Sequence, residues 1–144
     1  MTTKTYLGQI ERFERMIQNK LTEINQLKVM ACNVTVPTSN ERVQTSSDKD
    51  KVGTLVSRIA DLEKEVDSMI EKRGMIVNQI DSIEDTDVYD VLAKRYILKK
   101  DLKVIAVEKG VSFRHMGRIH FDALKMFEKK YGSRYLKQSS PGMS

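Results

Sequence analysis

An all-α fold is what this sequence predicts, and three features lead to it. Apolar residues recur at steps of three and four through most of the chain, and 144 residues contain only 2 Pro and 7 Gly. Charged residues make up 31% and aromatic residues 6%, with no Trp. Steps of three and four hold apolar side chains on one helical face. Scarce breakers let helices run long. The charge content suits solvated helix faces better than a sandwich or barrel, whose strands would want more Thr, Tyr and turn residues. A chain of this length supports one globular domain, or a small domain with an extended helical element.

The first helix carries Tyr6, Ile10, Phe13, Ile17, Leu21, Ile24 and Leu27 on one face. After Cys32 the pattern stops at NVTVPTSNERVQTSSD, where Pro37 and clustered Ser, Thr and Asn predict a connecting loop over 33–48. The longest periodic run follows: Val52, Leu55, Ile59, Leu62, Val66, Met69, Arg73, Ile76, Ile80 and Ile83. Its seven-residue repeat marks a coiled-coil seam with Arg73 as the charged exception. At ~1.5 Å per residue this second helix is on the order of 50 Å long. Helix one returning antiparallel along it makes residues 1–84 a helical hairpin. Two helices leave part of each stripe open, so hairpins from two or more chains are expected to associate as a dimer or tetramer. The expected contacts are Val52, Leu55, Ile59, Leu62, Val66, Met69, Ile76 and Ile80. The same seam also suits core packing inside a single hairpin.

Residues 85–132 form the second expected region. SIEDTDVYD supplies capping side chains for a helix bearing Val88, Leu92 and Tyr96 on one side. A short helix is expected over Asp101 to Lys109, and a longer one from about Ser112 to Tyr131. The remainder, SRYLKQSSPGMS over 133–144, lacks periodicity and reads as a flexible tail. Within LKVIAVEKGVSFRHMGRI, Ala106 is small enough for close helix approach, and Gly110 can take the positive φ of a tight turn. Ser112 can cap the next helix, with Val111 and Met116 at the staple positions. These choices describe a trihelical helix-turn-helix.

Its free face would present Ser112, Phe113, Arg114, His115, Gly117, Arg118, Phe121 and Lys125. Arginines on such a helix can donate paired bonds to guanine in a major groove, which suits Arg114 and Arg118. Lys99, Lys100 and Lys103 stand where backbone phosphates would pass. Phe113 and Phe121 can touch a thymine methyl or pack against a neighbouring subunit. Charge agrees with this placement. Residues 1–85 hold 12 Lys and Arg against 14 Asp and Glu, whereas residues 86–144 hold 13 against 6. A one-sided basic surplus most commonly meets phosphate backbones, although anionic membranes and acidic protein surfaces attract it too.

Several classes are expected to be absent. A lone cysteine, Cys32, cannot form an internal disulfide, and no signal-like apolar run precedes the opening MTTKTY. No stretch approaches the ~20 apolar residues of a spanning helix, so a cytoplasmic protein without membrane contact is expected. His115 and His120 have one distant cysteine and no second ligand pair, which predicts no metal and no cofactor. His115 reads as solvent-facing and His120 as partly buried. No nucleophile with its base, glycine-rich phosphate loop or convincing acid pair is visible, so no catalysis is expected.

The runs VYDVLAKRYI and LKVIAVEKGVSFRHMGRIHFDALKMFEK resemble region 4 of the sigma-70 class, in which an LxxRY helix, an IA…G turn, a Ser cap and a closing AL pair occur in that order. Here Ala123 and Leu124 supply the closing pair. With the upstream hairpin, the chain to about Tyr131 is similar to the ArpU-type late-transcription activators of bacteriophages and prophages of Gram-positive bacteria. The resemblance implies DNA binding through Ser112 to Lys125 and activation of late phage genes, with host RNA polymerase as a further partner, in the bacterial cytoplasm. Gly117 departs from the pattern, where a longer, often charged residue is usual. Two other classes share some features: a DNA-packaging subunit like the small terminases, which usually put the DNA-reading helices first, and a helical adaptor protein.

Overall fold

The computed structural model describes residues 1–35 and 46–136, and every regular element among them is helical. The order is α1 (Thr3–Thr35), α2 (Ser46–Asp81), α3 (Thr86–Leu92), α4 (Leu102–Lys109) and α5 (Phe113–Tyr131). A π-helical turn, Ala93–Ile97, extends α3, and a 3-10 turn, Gly132–Arg134, follows α5. The loop expected over 33–48 is helical at its described edges, 33–35 and 46–48, and its centre lies outside the described residues. Among the described residues, no helix is long and apolar enough to cross a membrane.

Two compact units divide the chain, and both borders fall inside the long helices: Glu14–Glu71 forms one, and Met1–Phe13 with the chain from Lys72 onward forms the other. The division expected at residue 84 is therefore displaced. The start of α1 and the end of α2 belong with α3, α4 and α5. Three short helices bury too little apolar surface on their own, and Leu7, Ile10, Phe13, Ile76 and Ile80 add buried side chains to that unit.

In the unit Glu14–Glu71, Ile17 and Ile24 of α1 and Ile59, Leu62 and Val66 of α2 are buried. Ion pairs join Lys20 to Glu65 at 3.1 Å, Glu23 to Arg58 at 3.2 Å and Lys28 to Glu63 at 4.0 Å. Partners of Lys20 and Glu23 fall in number on α2 as they rise on α1, so the two segments run antiparallel. Exposed pairs of this kind contribute about 0–1 kcal/mol each and serve register more than stability. The α2 stripe, expected either to pack inside its own hairpin or also to meet another chain, is largely enclosed by its own. Ile59, Leu62, Val66, Ile76 and Ile80 are buried, and Val52, Leu55, Met69 and Arg73 are half-buried.

In the other unit, each short helix starts on a side-chain cap. Asp85 accepts from the backbone N–H of Asp87 and Val88, Asp101 from that of Lys103, and Ser112 from that of His115 at 3.0 Å. The end of α4 closes on Gly110 at φ 70°, with Val111 N–H donating to the Ala106 carbonyl at 3.0 Å. Helix α5 packs on both α3 and α4. The core it shares with them contains Val88, Val91, Leu92, Ile105, Ala106, Met116, Ala123 and Phe127.

The tail expected to be loose from residue 133 is packed as far as Leu136. Tyr135 stacks on Tyr6 with ring centroids 4.0 Å apart, and its hydroxyl shares a 2.8 Å hydrogen bond with that of Thr3. Thr3 also lies 2.7 Å from the Glu128 carboxylate, and Phe127 lies among the rings of Tyr6, Tyr131 and Tyr135. Residues 137–144 of the expected tail lie outside the described residues.

Gly110→Ala tests the turn. Nothing lies within 4 Å of the added Cβ, so the cost is the positive φ alone. We expect a loss of about 1–2 kcal/mol in urea unfolding, with helical circular dichroism retained.

Candidate nucleic-acid interface

Helix α5 is anchored by one face and free on the other. Met116, His120, Ala123 and Phe127 are buried, and these positions recur at helical spacing. The residues expected outward, Ser112, Phe113, Arg114, His115, Gly117, Arg118, Phe121 and Lys125, are all exposed. Arg114, Arg118, Phe121 and Lys125 follow one another at steps of four, three and four, which aligns them in a single stripe opposite the buried face. From Arg114 to Lys125 the stripe is about 16 Å long. Lys129 continues it by one turn. Sequence reasoning missed this residue because it stopped at the turn motif, although the same spacing would have reached it. Asp122 is the exposed carboxylate beside the stripe.

Two lysines lie over exposed rings of this helix. The Lys103 ammonium is 5.7 Å from the Phe113 ring centre, and that of Lys125 is 5.4 Å from Phe121. Exposed contacts of this type are worth about 0.5–1 kcal/mol and hold both cation and ring in place. Lys103 thereby brings a charge from the start of α4 to the start of α5.

The three lysines expected to meet phosphates differ in state. Lys99 is exposed and takes φ 58°, in the turn where Lys100 N–H donates to the Lys94 carbonyl at 2.9 Å. Lys103 is exposed. The Lys100 ammonium is 2.7 Å from the Glu108 carboxylate. Sequence alone could not show this: the turn folds Lys100 back onto the last turn of α4, eight residues away.

That pair belongs to a network in which Lys94 contacts both Asp90 and Glu108, while Lys109 contacts Asp90 at 2.8 Å. The hydrogen bond from Lys100 holds the Glu108 carboxyl below its ordinary pKa, and that from Lys109 does the same for Asp90. Cations near the end of α4 are thus largely balanced by carboxylates. The α5 stripe, with Arg114, Arg118, Lys125 and Lys129 against Asp122, keeps its surplus.

His120 and Tyr96 form a buried pair joined by a 2.7 Å hydrogen bond between the imidazole Nε2 and the phenol oxygen. Loss of water from the imidazolium, helped by the charges of Arg95 and Lys4, pushes the His120 pKa down to about 4. Burial pushes that of Tyr96 up to about 12. Both groups are neutral at pH 7, so the pair joins α5 to the π-helical turn without adding buried charge. Sequence reasoning expected a partly buried His120 but not its partner, 24 residues earlier. His115, by contrast, is exposed.

No protein-family model, curated protein or solved structure matches the chain.

The buried imidazole makes stability depend on pH. Its folded pKa lies below the ordinary 6.5, so between pH 6.5 and 4 the unfolded chain takes up a proton that the folded chain refuses. Its contribution is complete above pH 6.5 and is lost as pH falls toward 4, by about 3 kcal/mol. Urea unfolding at pH 7.5 and pH 4.5 should show this loss, and His120→Gln should remove most of it.

Proposed function

We propose that this protein is a regulator that binds double-stranded DNA in a sequence-specific way, with α4, the Gly110 turn and α5 acting as a helix-turn-helix and α5 as its reading helix. The observation that carries the proposal is the stripe of Arg114, Arg118, Phe121 and Lys125 on a helix whose opposite face is fixed by Met116, His120, Ala123 and Phe127. A major groove about 12 Å wide accepts one α-helix, and arginine can pair with the O6 and N7 of guanine there. Lys99, Lys103 and the first N–H groups of α5 contact phosphates in this reading, which sets register before bases are read. The resemblance to region 4 of the sigma-70 class and to late regulators of bacteriophages supports a narrower role, activation of phage late genes together with host RNA polymerase in the bacterial cytoplasm. The unit Glu14–Glu71 serves as a helical hairpin arm in this reading.

Self-association is part of the proposal, but through a different surface from the α2 seam. Lys28 and Glu63 lie together on one flank of the arm. Two turns back on α1 from Lys28 stands Leu21, and two turns to either side of Glu63 on α2 stand Val56 and Ile70, all three half-exposed. The other flank is occupied by the ion pairs of Lys20 and Glu23. A flank that carries apolar side chains around one cation and one anion is complementary to itself across a two-fold axis, where each Lys28 can meet the other copy's Glu63. A second copy of this chain is the occupant we assign to it.

Two measurements test these proposals. In band shifts with late-promoter DNA, Arg114→Ala and Arg118→Ala should each cost about 1–3 kcal/mol and relax base preference. Lys103→Ala should weaken all duplexes alike, and Lys100→Ala should change little. Unchanged binding by the double arginine variant would sink the DNA reading. In sedimentation equilibrium, the native chain should be dimeric or larger, and Leu21→Glu with Ile70→Glu should be monomeric with helicity retained. A native monomer at tens of micromolar rules out the flank as an interface.

A further inference from the structure

Gly117 occupies a position where the fold gains nothing from glycine. It stands inside α5 with no positive φ, and a Cβ there would meet nothing within 4 Å. Apart from proline, glycine is the poorest helix former, so alanine would serve the chain better. Gly8, Gly53 and Gly74 are equally open, so what sets Gly117 apart is its place on the exposed face of α5 between two exposed aromatic rings, where an outside surface can approach the backbone closely.

Its neighbours define what approaches. Phe113 stands one turn before Gly117 and Phe121 one turn after, and both remain in water at 53% and 58% exposure. Lys103 and Lys125 lie over these two rings. The result is a notch about 12 Å from end to end, with bare backbone as its floor and an aromatic ring at each side. Arg114 and Arg118 stand beside it on the same exposed helix face. An apolar notch with guanidinium groups along one side suits an apolar knob next to hydrogen-bonding edges. In a major groove, the 5-methyl group of thymine is that knob.

Resting on the DNA-binding reading, we propose that the Phe113–Gly117–Phe121 notch receives a thymine methyl, and that the protein reads thymine next to the guanines paired with Arg114 and Arg118. Gly117 admits the base by what it lacks, and the two phenylalanines supply the apolar contact.

The test uses the full chain and the tightest duplex recovered from a random-sequence pool, with thymines replaced singly by deoxyuridine. That exchange removes only the methyl group. At one or two positions, affinity should fall about three- to tenfold, as expected for one well-buried methyl. In Gly117→Ala and Phe121→Ala the thymine and deoxyuridine duplexes should bind equally. Gly117→Ala should also raise Tm by a few degrees while lowering DNA affinity at least tenfold, a split that a purely structural role would not produce. Binding that ignores every thymine methyl overturns the notch but leaves the DNA reading intact. Failure to bind any duplex overturns both. Full DNA affinity in Gly117→Ala, with loss of transcription in a reporter strain, would assign the notch to a protein partner and overturn the thymine proposal.

Discussion

The orientation of α5 depends on the burial of its inward face, and the outward chemistry follows from it. Phe127 is enclosed by three tyrosine rings from both ends of the described chain, Met116 is fully buried, and His120 is tied to Tyr96. Rotating the helix about its axis would expose Phe127, at a cost of about 2–3 kcal/mol for that side chain alone, and would leave the Tyr96 hydroxyl buried without a partner. With that rotation excluded, Arg114, Arg118 and Lys125 keep a fixed outward direction. A helix that presents charge reproducibly loses less freedom when it binds than one that must first be oriented.

Local chemistry was legible in the sequence, while partners far along the chain were not. Asp85, Asp101 and Ser112 cap where their residue types suggest, and Gly110 has the positive φ that a turn of this kind needs. Each of these depends on neighbours within a few residues. The exposed face of α5 was legible for the same reason, because helical spacing separates it from Met116, His120 and Phe127. The bonds from Thr3 to Glu128 and from Tyr6 to Gln79 join residues 125 and 73 apart, and no local pattern announces them. Lys100 shows the limit on a shorter scale: its residue type suggested a phosphate contact, whereas the path of the turn gave it to Glu108. The α2 repeat was legible as a seam, but periodicity cannot say which chain covers it.

Charge is sorted along the C-terminal helices in a way that the overall balance of +5 conceals. Around α4, Asp90 and Glu108 absorb the field of Lys94, Lys100 and Lys109. On the outer side of α5, Asp122 alone stands among several cations. At physiological salt, fields fade over about 8 Å, so a distant anion senses this local arrangement rather than the total. Neutralising one helix while leaving its neighbour cationic gives the surface a direction of approach.

The clasp between Thr3 and Tyr135 has a consequence for how the molecule is made. Its two hydroxyls come from residues 132 apart, one near the start of α1 and the other just past α5. During synthesis the first turns of α1 emerge long before the aromatic residues that cover them, since chains grow at about 5–20 residues per second. For several seconds Thr3 and Tyr6 therefore wait for partners that the ribosome has not yet released. The unit containing α5 closes only once Tyr135 has emerged, so a chain that stops before that residue keeps its basic helix without the clasp that steadies it.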